Sequence, residues 1–449
     1  MNDYDLLIIG AGTAGMAAAK QAADYGVKVA ILEKEKVGGT CLNRGCTPKK
    51  LMVYAADFAL KESLATSYGW QECKRQLDWS ILMQNIHQHL DKLNNSFRET
   101  FKEKNIDLIY GEAQFTDERI IKINDREISA DKILIAVGGH PMKPDIPGKE
   151  LAITSREMFQ LEKIPEKLAI VGGGYIGVEF ASMMNAMGSE VVLMDTDELI
   201  LSGFDRDQRK TVQQGLIDRG IEFMGETTAE KITQTEDKLQ LSLSNESNLT
   251  VDKVLLATGR APNTKNLNLD KARVELGEKG EIKVDKYCRT QNQHIYAVGD
   301  CIDRIPLTPV AKAEALAVVE TLYGKNPKSI DYTYVTSAVF SRPEAATVGM
   351  TETEAQDKYG REVKCYRHST TPMLYSLAES AKQEKVFIKL ITIGESEKII
   401  GAHMVGEHAA DMIQCLGVAI NKGVTKQELD DSFGIHPTIG EEFMSRIKN

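Results

Sequence analysis

The chain has 449 residues, 42% of them hydrophobic and 27% charged, which excludes a disordered or fibrous protein and predicts a globular one of two to four domains. Its net charge of -10 argues against nucleic acid or an anionic membrane surface as a partner, because either would need clustered Lys and Arg. No stretch is apolar enough to span a bilayer and no signal-peptide pattern precedes the first strand, so the expected location is the cytoplasm. Seven cysteines, an odd number, do not suggest a structural disulfide framework in such a chain, and we expect any disulfide to be catalytic.

The N-terminal pattern is typical of a nucleotide-binding unit. A short apolar strand at 6–9 is followed by Gly10-Ala11-Gly12-Thr13-Ala14-Gly15 and then by an Ala-rich helix at 16–25. A second strand at 27–32 ends on the acid Glu33.

The same pattern returns in the middle of the chain. An apolar strand at 168–171 precedes Gly172-Gly173-Gly174-Tyr175-Ile176-Gly177, a helix runs to about Met187, and a strand at 190–194 ends on Asp195. Glycines at these places permit a tight turn, close approach of the backbone to a pyrophosphate, and close helix–strand packing, while the acid binds ribose hydroxyls. One such motif is weak evidence and usually marks only a glycine turn. Two complete copies predict two dinucleotide sites.

A third element indicates that one site holds FAD. Thr290 precedes an apolar strand at 295–298 that ends in Gly299-Asp300, where a carboxylate can lie beside the ribityl chain of a flavin. The alternative is an ordinary strand followed by a turn. Two further apolar strands end at 136–139 and 257–260, and we interpret them as the returns from the two nucleotide units.

Two cysteines five residues apart, Cys41 and Cys46, lie between the first acid and a long helical stretch. Glycines flank them, and Lys49 and Lys50 follow at a predicted helix start. A helix N-terminus and nearby lysines lower thiol pKa values, so we expect reactive thiolates. The alternatives are half of a zinc site or two unrelated thiols. Zinc would require a second Cys/His pair with ligand spacing, and we expect no metal.

These motifs together resemble one family. GGTCLNRGCTPKK, the two glycine fingerprints, TQNQHIYAVGD and HPTIGEE occur in this order in the class I pyridine nucleotide-disulfide oxidoreductases, and the resemblance covers essentially the whole chain. It implies an α/β fold with two Rossmann-like dinucleotide-binding domains, for FAD and NAD(P), and a C-terminal α+β dimerisation domain. The implied domains are an FAD-binding domain at 1–145 and 264–331, an NAD(P)-binding domain at 146–263, and a dimerisation domain at 332–449.

The resemblance also implies roles for particular residues. Cys41 resembles the interchange thiol that attacks the substrate disulfide, and Cys46 the flavin-proximal thiol that forms a charge-transfer complex. Lys49, or its neighbour Lys50, resembles one half of an ion pair with Glu179 beside the flavin.

The C-terminal motif and Tyr175 take their roles from the same resemblance. His436, oriented by Glu441, resembles the acid–base that serves the active site of the partner subunit in a homodimer, and an imidazole near its ordinary pKa suits that task. Pro437 is a candidate for a cis peptide bond that aims the imidazole. Tyr175 resembles the lid of the nicotinamide pocket.

Cofactor contacts follow by the same residue-by-residue comparison. The expected FAD-binding residues are Gly10, Gly12, Thr13, Ala14, Gly15, Glu33, Lys34, Gly39, Thr40, Lys50, Ala113, Ala136, Gly138, Gly139, Asp300, Leu307, Thr308 and Pro309. The expected NAD(P)-binding residues are Gly172, Gly174, Tyr175, Ile176, Gly177, Glu179, Asp195, Gly259 and Arg260.

Within the family, the chain is most similar to the glutathione reductase branch, and we expect a small disulfide such as glutathione disulfide as substrate. Lys20, Phe97 and Met373 are the expected substrate contacts. The chain departs from that branch where arginines grip the glutathione carboxylates, since Lys20 and Leu316 stand there, and Phe97 replaces a tyrosine. A dihydrolipoamide dehydrogenase is the alternative.

For the nicotinamide, Asp195 favours NADH over NADPH, because a carboxylate accepts a hydrogen bond from a ribose 2′-OH and repels a 2′-phosphate. Thr196 and Ser202 occupy places where NADPH-using relatives carry arginines. The alternative is a solvated acidic turn. A hypothesis of another class is a flavin-binding redox sensor without turnover, and the complete set of cysteines, lysine, glutamate and histidine argues against it.

Overall fold

The structure is a computed structural model that describes residues 2–71, 76–379 and 384–444. Its strands are, in chain order, β1 Tyr4–Ile9, β2 Val29–Glu33, β3 Asp107–Tyr110, β4 Ala113–Asp117, β5 Ile120–Ile123, β6 Arg126–Ile135, β7 Gly139–Pro141, β8 Lys167–Val171, β9 Glu190–Met194, β10 Glu222–Met224, β11 Ala229–Thr235, β12 Lys238–Leu243, β13 Asn248–Val251, β14 Lys253–Leu256, β15 Arg260–Pro262, β16 Ile295–Ala297, β17 Ser337–Val339, β18 Ala345–Gly349, β19 Val363–Thr370, β20 Val386–Ile393 and β21 Lys398–Val405.

The α-helices are α1 Thr13–Asp24, α2 Gly39–Arg44, α3 Cys46–Ala65, α4 Trp79–Glu103, α5 Ser155–Met158, α6 Tyr175–Ala186, α7 Arg206–Asp218, α8 Thr308–Tyr323, α9 Glu352–Tyr359, α10 Ala409–Asn421 and α11 Lys426–Asp430. A short 3₁₀ helix, Ile439–Phe443, follows α11. No helix in the described part of the chain is long and apolar enough to cross a bilayer.

The chain divides into two compact units, each assembled from three segments. The first contains the residues up to Lys49, Ser80–Met142 and Gly259–Asp331. The second contains Lys50–Trp79, Lys143–Thr258 and the residues from Tyr332 onward.

A seven-stranded sheet forms the centre of the first unit. Its order is β3-β2-β1-β6-β5-β4, with β16 also paired to β6. The pairs β1–β2, β1–β6, β2–β3 and β6–β16 are parallel, whereas β4, β5 and the N-terminal half of β6 form an antiparallel extension. In β1 and β2 nearly every residue is buried, as expected for parallel strands covered on both faces. Helices α1 and α8 pack together beside this sheet.

The second unit combines three sheets. β10-β9-β8-β14 is a parallel sheet with α6 packed on it, and β11-β12-β13 is antiparallel. The five-stranded antiparallel sheet β17-β18-β21-β20-β19 packs against α10 through a separate apolar core. This mixed helix–sheet arrangement agrees with the α+β character expected for the C-terminal part.

The two glycine fingerprints have the same backbone geometry. A Cβ on Gly15 would overlap the carbonyl oxygen of Gly10, and a Cβ on Gly177 would overlap that of Gly172. Each third glycine therefore lets its helix lie directly against the turn that precedes it. Because these turns are part of the helix entry, α1 begins at Thr13, three residues before the predicted start at 16. The strand predicted at 190–194 coincides with β9.

A buried ionic cluster joins α7 to the five-stranded sheet within the second unit. The Lys389 side chain on β20 is 1% exposed, and its ammonium lies 2.8 Å from Asp205, 2.8 Å from Asp207 and 2.6 Å from Glu352. Asp205 also caps α7 by accepting a hydrogen bond from the Asp207 amide at 3.0 Å. The lysine thus neutralises carboxylates that could not be buried alone.

Candidate active site

The two cysteines lie at the junction of two helices. Cys41 is in α2 and is partly buried, and Cys46 is the first residue of α3 and is exposed. A Cβ on Gly45 would lie 2.8 Å from the Thr40 carbonyl oxygen, so glycine permits the sharp break between the helices. This break brings two thiols five residues apart within hydrogen-bonding distance of each other.

The hydrogen bond to Cys46 and burial together raise the pKa of the Cys41 thiol well above its ordinary value. Hydroxyl groups of Thr308 and Thr13 act in the opposite direction without cancelling this effect. The expectation of a lowered thiol pKa is therefore wrong for Cys41 in the dithiol. The physical reason is that Cys41 donates its hydrogen bond to Cys46 and is partly buried, and both effects favour the protonated thiol.

The redox loop packs directly on the first glycine turn. A Cβ on Gly39 would lie 2.8 Å from the Gly12 Cα, and the Gly38 amide donates to the Ala11 carbonyl at 2.8 Å. Thr308 at the start of α8 contacts the Cys46 sulfur with its hydroxyl at 3.5 Å. The starts of α1, α2, α3 and α8 thus meet at the cysteines.

Such a convergence of helix N-termini and glycine backbone fits a pyrophosphate-bearing cofactor next to the thiols. The residues expected to bind FAD belong to the first unit, with Lys50 as the exception. Lys34 is near the sheet edge and pairs with Glu112 at 3.7 Å, and Ala113 is buried in β4.

The acids at the ends of the two second strands make equivalent hydrogen bonds. Glu33 accepts from the amides of Ala11 and Glu35, both at 2.8 Å. Asp195 accepts from the amide of Gly173 and, at 2.9 Å, from that of Asp197. Each acid therefore fixes the second residue of its glycine turn and the residue two positions beyond itself. The two acids thus have the same position relative to their glycine turns.

Arg260 was expected at the nicotinamide site, but it lies in the first unit. Its guanidinium forms an ion pair with Asp300 at 3.0 Å and donates to the Gly139 carbonyl at 3.0 Å. The Met142 amide donates to the Gly259 carbonyl at 2.9 Å. This bond lies at the end of the antiparallel pair formed by β7 and β15. Gly259 also belongs to the first unit, whereas the other expected NAD(P) residues belong to the second, where Tyr175, Ile176, Gly177 and Glu179 begin α6.

Glu179 is 4% exposed and accepts a hydrogen bond from the Phe340 amide at 2.9 Å. The Lys50 ammonium lies 4.0 Å from the centre of the Phe340 ring and 3.7 Å from Glu344. Lys49 is on the first turn of α3 and belongs to the first unit. Phe340 therefore brings Glu179 and Lys50 into one neighbourhood of the second unit.

The C-terminal motif forms a histidine–carboxylate pair. His436 Nδ1 lies 3.1 Å from both carboxylate oxygens of Glu441, and the Glu441 carboxylate also accepts from the Thr438 amide at 3.0 Å. The hydrogen bond from the Thr438 amide has the largest effect on the pKa of Glu441, and together with the contact to His436 it lowers that pKa. The His436–Pro437 peptide is cis, as expected. The imidazole is 80% exposed within this chain and is available to a second molecule.

Two of the three expected substrate contacts lie together. The Lys20 ammonium on α1 is 4.9 Å from the centre of the Phe97 ring on α4. Burial, followed by the nearby charges of Lys104 and Lys312, lowers the pKa of Lys20. Met373 belongs to the second unit and is 65% exposed. The sequence analysis did not identify Lys312 as a neighbour of Lys20, although it is one helical turn before Leu316 on α8.

Other side chains near the expected sites also escaped the sequence analysis. His368 pairs with Glu442 at 2.8 Å, and Arg342 forms a bidentate pair with Asp57, both contacts 2.6 Å. These pairs join residues far apart in sequence, so no local motif announces them. Within the residues that the structure describes, no group of three His, Cys, Asp or Glu side chains is arranged to hold a metal ion.

Three features are typical of a flavoprotein disulfide oxidoreductase. They are two neighbouring thiols packed on a glycine turn, a second fold of the dinucleotide-binding type, and a C-terminal domain built on an antiparallel sheet. Residues 4–315 match the family described as pyridine nucleotide-disulphide oxidoreductase, and residues 335–447 match its dimerisation domain. The chain belongs to the pyridine nucleotide-disulphide oxidoreductase family.

Three relatives illustrate where the chain lies within that family. It is 42% identical to a glutathione reductase of Nostoc sp. over 99% of both chains. It is 38% identical to a glutathione reductase of Burkholderia cepacia over 99% of this chain and 98% of the relative. It is 39% identical to a chloroplastic/mitochondrial glutathione reductase of Pisum sativum, over 99% of this chain and 82% of the relative.

Several expectations are thereby confirmed. They are the family, the fold class with two Rossmann-like domains and a dimerisation domain, the NAD(P)H-dependent disulfide oxidoreductase activity, the FAD cofactor and the homodimer.

Proposed function

We propose that this enzyme reduces glutathione disulfide with electrons from a nicotinamide cofactor. The observation that supports the proposal is the packing of the redox loop, Gly39 against Gly12 and Gly38 against Ala11, beside the first glycine turn, where we propose that FAD binds. The names of the full-length relatives supply the substrate. FAD, when bound, accepts the two electrons of a nicotinamide hydride and passes them to the cysteines.

The cysteines divide the disulfide chemistry between them. Two electrons convert the Cys41–Cys46 disulfide into the dithiol. The Cys41 sulfur, as thiolate, attacks the substrate disulfide, which forms a mixed disulfide and releases one thiol. The Cys46 thiolate then displaces the second thiol and restores the Cys41–Cys46 bond. Each departing thiolate takes a proton, so one disulfide, two electrons and two protons give two thiols.

We assign proton delivery to His436 of the opposite subunit. The exposure of its imidazole and the contact of Nδ1 with Glu441 support this assignment, because they leave Nε2 for an incoming thiol. The role of Glu441 is to hold the ring and to stabilise the imidazolium. The active site is therefore shared across the homodimer. We retain Lys49, or its neighbour Lys50, as the proposed partner of Glu179.

The charge around Lys20 favours an anionic disulfide over lipoamide. Lys104 and Lys312 lie near Lys20 and add to its positive charge, and each half of glutathione disulfide carries two carboxylates. Lipoamide carries none. Phe97 supports Lys20 through its ring face, an arrangement worth about 0.5–2 kcal/mol. The dihydrolipoamide dehydrogenase alternative is therefore less well supported.

We further propose NADH as the preferred nicotinamide. The support is the equivalence of Asp195 to Glu33, since both acids make the same pair of backbone hydrogen bonds. FAD presents an unphosphorylated ribose, so a site with the same arrangement suits NADH. Arg209 pairs with Asp197 at 3.6 Å and donates to the Leu199 and Ile200 carbonyls, so its guanidinium already has partners within this chain.

The domain boundaries stay as proposed, with FAD-binding segments 1–145 and 264–331, an NAD(P)-binding domain 146–263 and a dimerisation domain 332–449. The cytoplasm remains the proposed location.

Steady-state turnover tests the function directly. NADH and NADPH should each be measured against oxidised glutathione, lipoamide and a neutral small disulfide, with Cys41→Ser as the inactive control. We expect oxidised glutathione to give the highest kcat/KM by at least tenfold. A higher kcat/KM with lipoamide would contradict the proposed substrate, and retained activity in Cys41→Ser would contradict the proposed mechanism.

A further inference from the structure

His368 lies on β19, far in sequence from the C-terminal motif, yet it contacts that motif. Its Nε2 is 2.8 Å from a carboxylate oxygen of Glu442, and the two side chains are 31% and 26% exposed. On β19 side chains alternate, so His368 shares a face with Tyr366. Tyr366 belongs to the same apolar core as Phe443. The 3₁₀ helix Ile439–Phe443 is thus attached to this face of the sheet twice, through Glu442 and through Phe443.

The segment that carries His436 has little attachment of its own. Residues 431–438 are all exposed, and Phe433 and Ile435 are 98% and 77% exposed. Within this chain, the position of the imidazole depends on Glu441, which binds His436 and the Thr438 amide. Glu441 in turn precedes Glu442 directly. A displacement of Glu442 from β19 therefore moves the carboxylate that orients the imidazole.

We infer that His368 is a positioning residue for the His436–Glu441 pair. It fixes Glu442 to the rigid five-stranded sheet, where His368 pairs with the fully buried Ile388 across β19 and β20. It does not touch substrate or cofactor. The inference rests on the proposed function, in which His436 delivers a proton to the departing thiol of the partner's site.

The two half-reactions separate positioning from folding. His436 acts only when the disulfide substrate is reduced, so His368→Leu should slow reoxidation of the two-electron-reduced enzyme by oxidised glutathione. Flavin reduction by the nicotinamide should keep its wild-type rate. Because small misplacements of an acid–base group cost up to about 100-fold, we expect a loss of roughly 10- to 100-fold in kcat with KM changed less than threefold.

Conservative variants show which atom matters. His368→Gln places an amide nitrogen close to the position of Nε2 and should recover most of the rate, whereas His368→Asn, whose amide matches Nδ1, should not. Lys364→Leu is the matched control, because Lys364 lies on the same strand and face and pairs with Glu397 instead. FAD content and dimer mass should be unchanged in each variant.

The outcomes separate the inference from the proposed function. A wild-type reoxidation rate in His368→Leu, or equal slowing of both half-reactions, would overturn the positioning role. Equal rates in His368→Gln and His368→Asn would do the same, even if His368→Leu failed to fold. If the His436→Ala enzyme were reoxidised at the wild-type rate, the proposed role of His436 in proton delivery would be wrong, independently of His368.

Discussion

The nicotinamide preference can be tested through a single carboxylate. Asp195 already accepts two backbone hydrogen bonds, from Gly173 and Asp197, so its charge is held at the end of β9. A ribose 2′-OH can donate a further bond to it. A 2′-phosphate brings close to two negative charges to the same place, which costs at least about 1–3 kcal/mol by analogy with an unpaired buried group. We therefore expect kcat/KM to be roughly 5- to 150-fold higher with NADH than with NADPH.

The perturbation is Asp195→Asn, which removes the charge and keeps the size. The ratio of kcat/KM for NADH over NADPH should fall to about fivefold or less, mainly because NADPH improves. Adding Thr196→Arg and Ser202→Arg should carry the preference over to NADPH. The matched control is Asp197→Asn, which removes an equal charge two residues away, and we expect it to change the ratio less than twofold.

Initial rates with oxidised glutathione, at several concentrations of each nicotinamide, give the four constants. FAD content should be measured alongside and should not change, because the substitutions leave the first glycine fingerprint untouched. Equal or better kcat/KM with NADPH in the wild type would refute the reasoning. The phosphate ligand would then be sought in the cleft of about 530 Å³ that Arg206 lines together with Asp197 and Glu198, and Arg206→Gln would test it.

Three further predictions concern the cysteines, the shared histidine and the buried Lys389 cluster. Cys46→Ser should abolish both turnover and the long-wavelength charge-transfer absorbance while FAD stays bound, whereas Cys41→Ser should lose turnover and keep the absorbance; identical spectra would show that the roles of the thiols are misassigned. Mixing Cys41→Ser with His436→Ala subunits under proven exchange should restore part of the activity, because one of the two sites in a mixed dimer holds both intact residues, and no recovery would count against a shared site. Lys389→Met should destabilise the protein by about 3–5 kcal/mol, against about 0–1 kcal/mol for the exposed Lys364→Met, when thermal unfolding is followed by calorimetry. Lys389 lowers the pKa of Asp205 and Asp207 against the cost of their burial, so the stability they contribute is present above their unfolded pKa near 3.8 and is lost only as the pH falls further. In Lys389→Met the burial of Asp205 is no longer offset by the lysine, so the wild-type advantage should be largest at neutral pH and shrink as the pH falls and the variant's carboxyl takes up a proton; an advantage that grew with falling pH would disprove the assignment.

The sequence predicted the parts of the site whose geometry is local. Each glycine fingerprint, its acid and its flanking strands lie within about thirty residues, and the backbone conformations they require are available to few other residues. β9 was predicted at its observed bounds, whereas α3 begins at Cys46, three residues before Lys49, where the helix start was predicted. The error over the Cys41 pKa arose because the helix N-terminus was considered and the partner thiol, which receives the hydrogen bond, was not.

Contacts between distant segments could not be predicted in this way. His368 and Glu442 are 74 residues apart, Lys389 and Asp205 are 184 apart, and Arg342 and Asp57 are 285 apart. Each pair depends on a strand register or on helix packing that brings the two segments together, and even Glu442, which lies in the C-terminal motif, has a partner outside any motif. The same holds for Lys312, whose charge reaches Lys20 only because α1 and α8 pack side by side.

The duplicated fold explains where the redox chemistry is located. In the first copy the Gly38 amide donates to the Ala11 carbonyl, and in the second the Leu201 amide donates to the carbonyl of the equivalent Gly173, both at 2.8 Å. Both donors have positive φ, +97° and +57°. The loop after each acid is thus anchored to its glycine turn in the same way. After that anchor, the first copy enters α2 with Cys41, whereas the second continues to α7 at Asp205. The dithiol is therefore an addition to one loop of a repeated frame, and the glycine turn that we propose binds FAD also positions the cysteines that we propose receive its electrons.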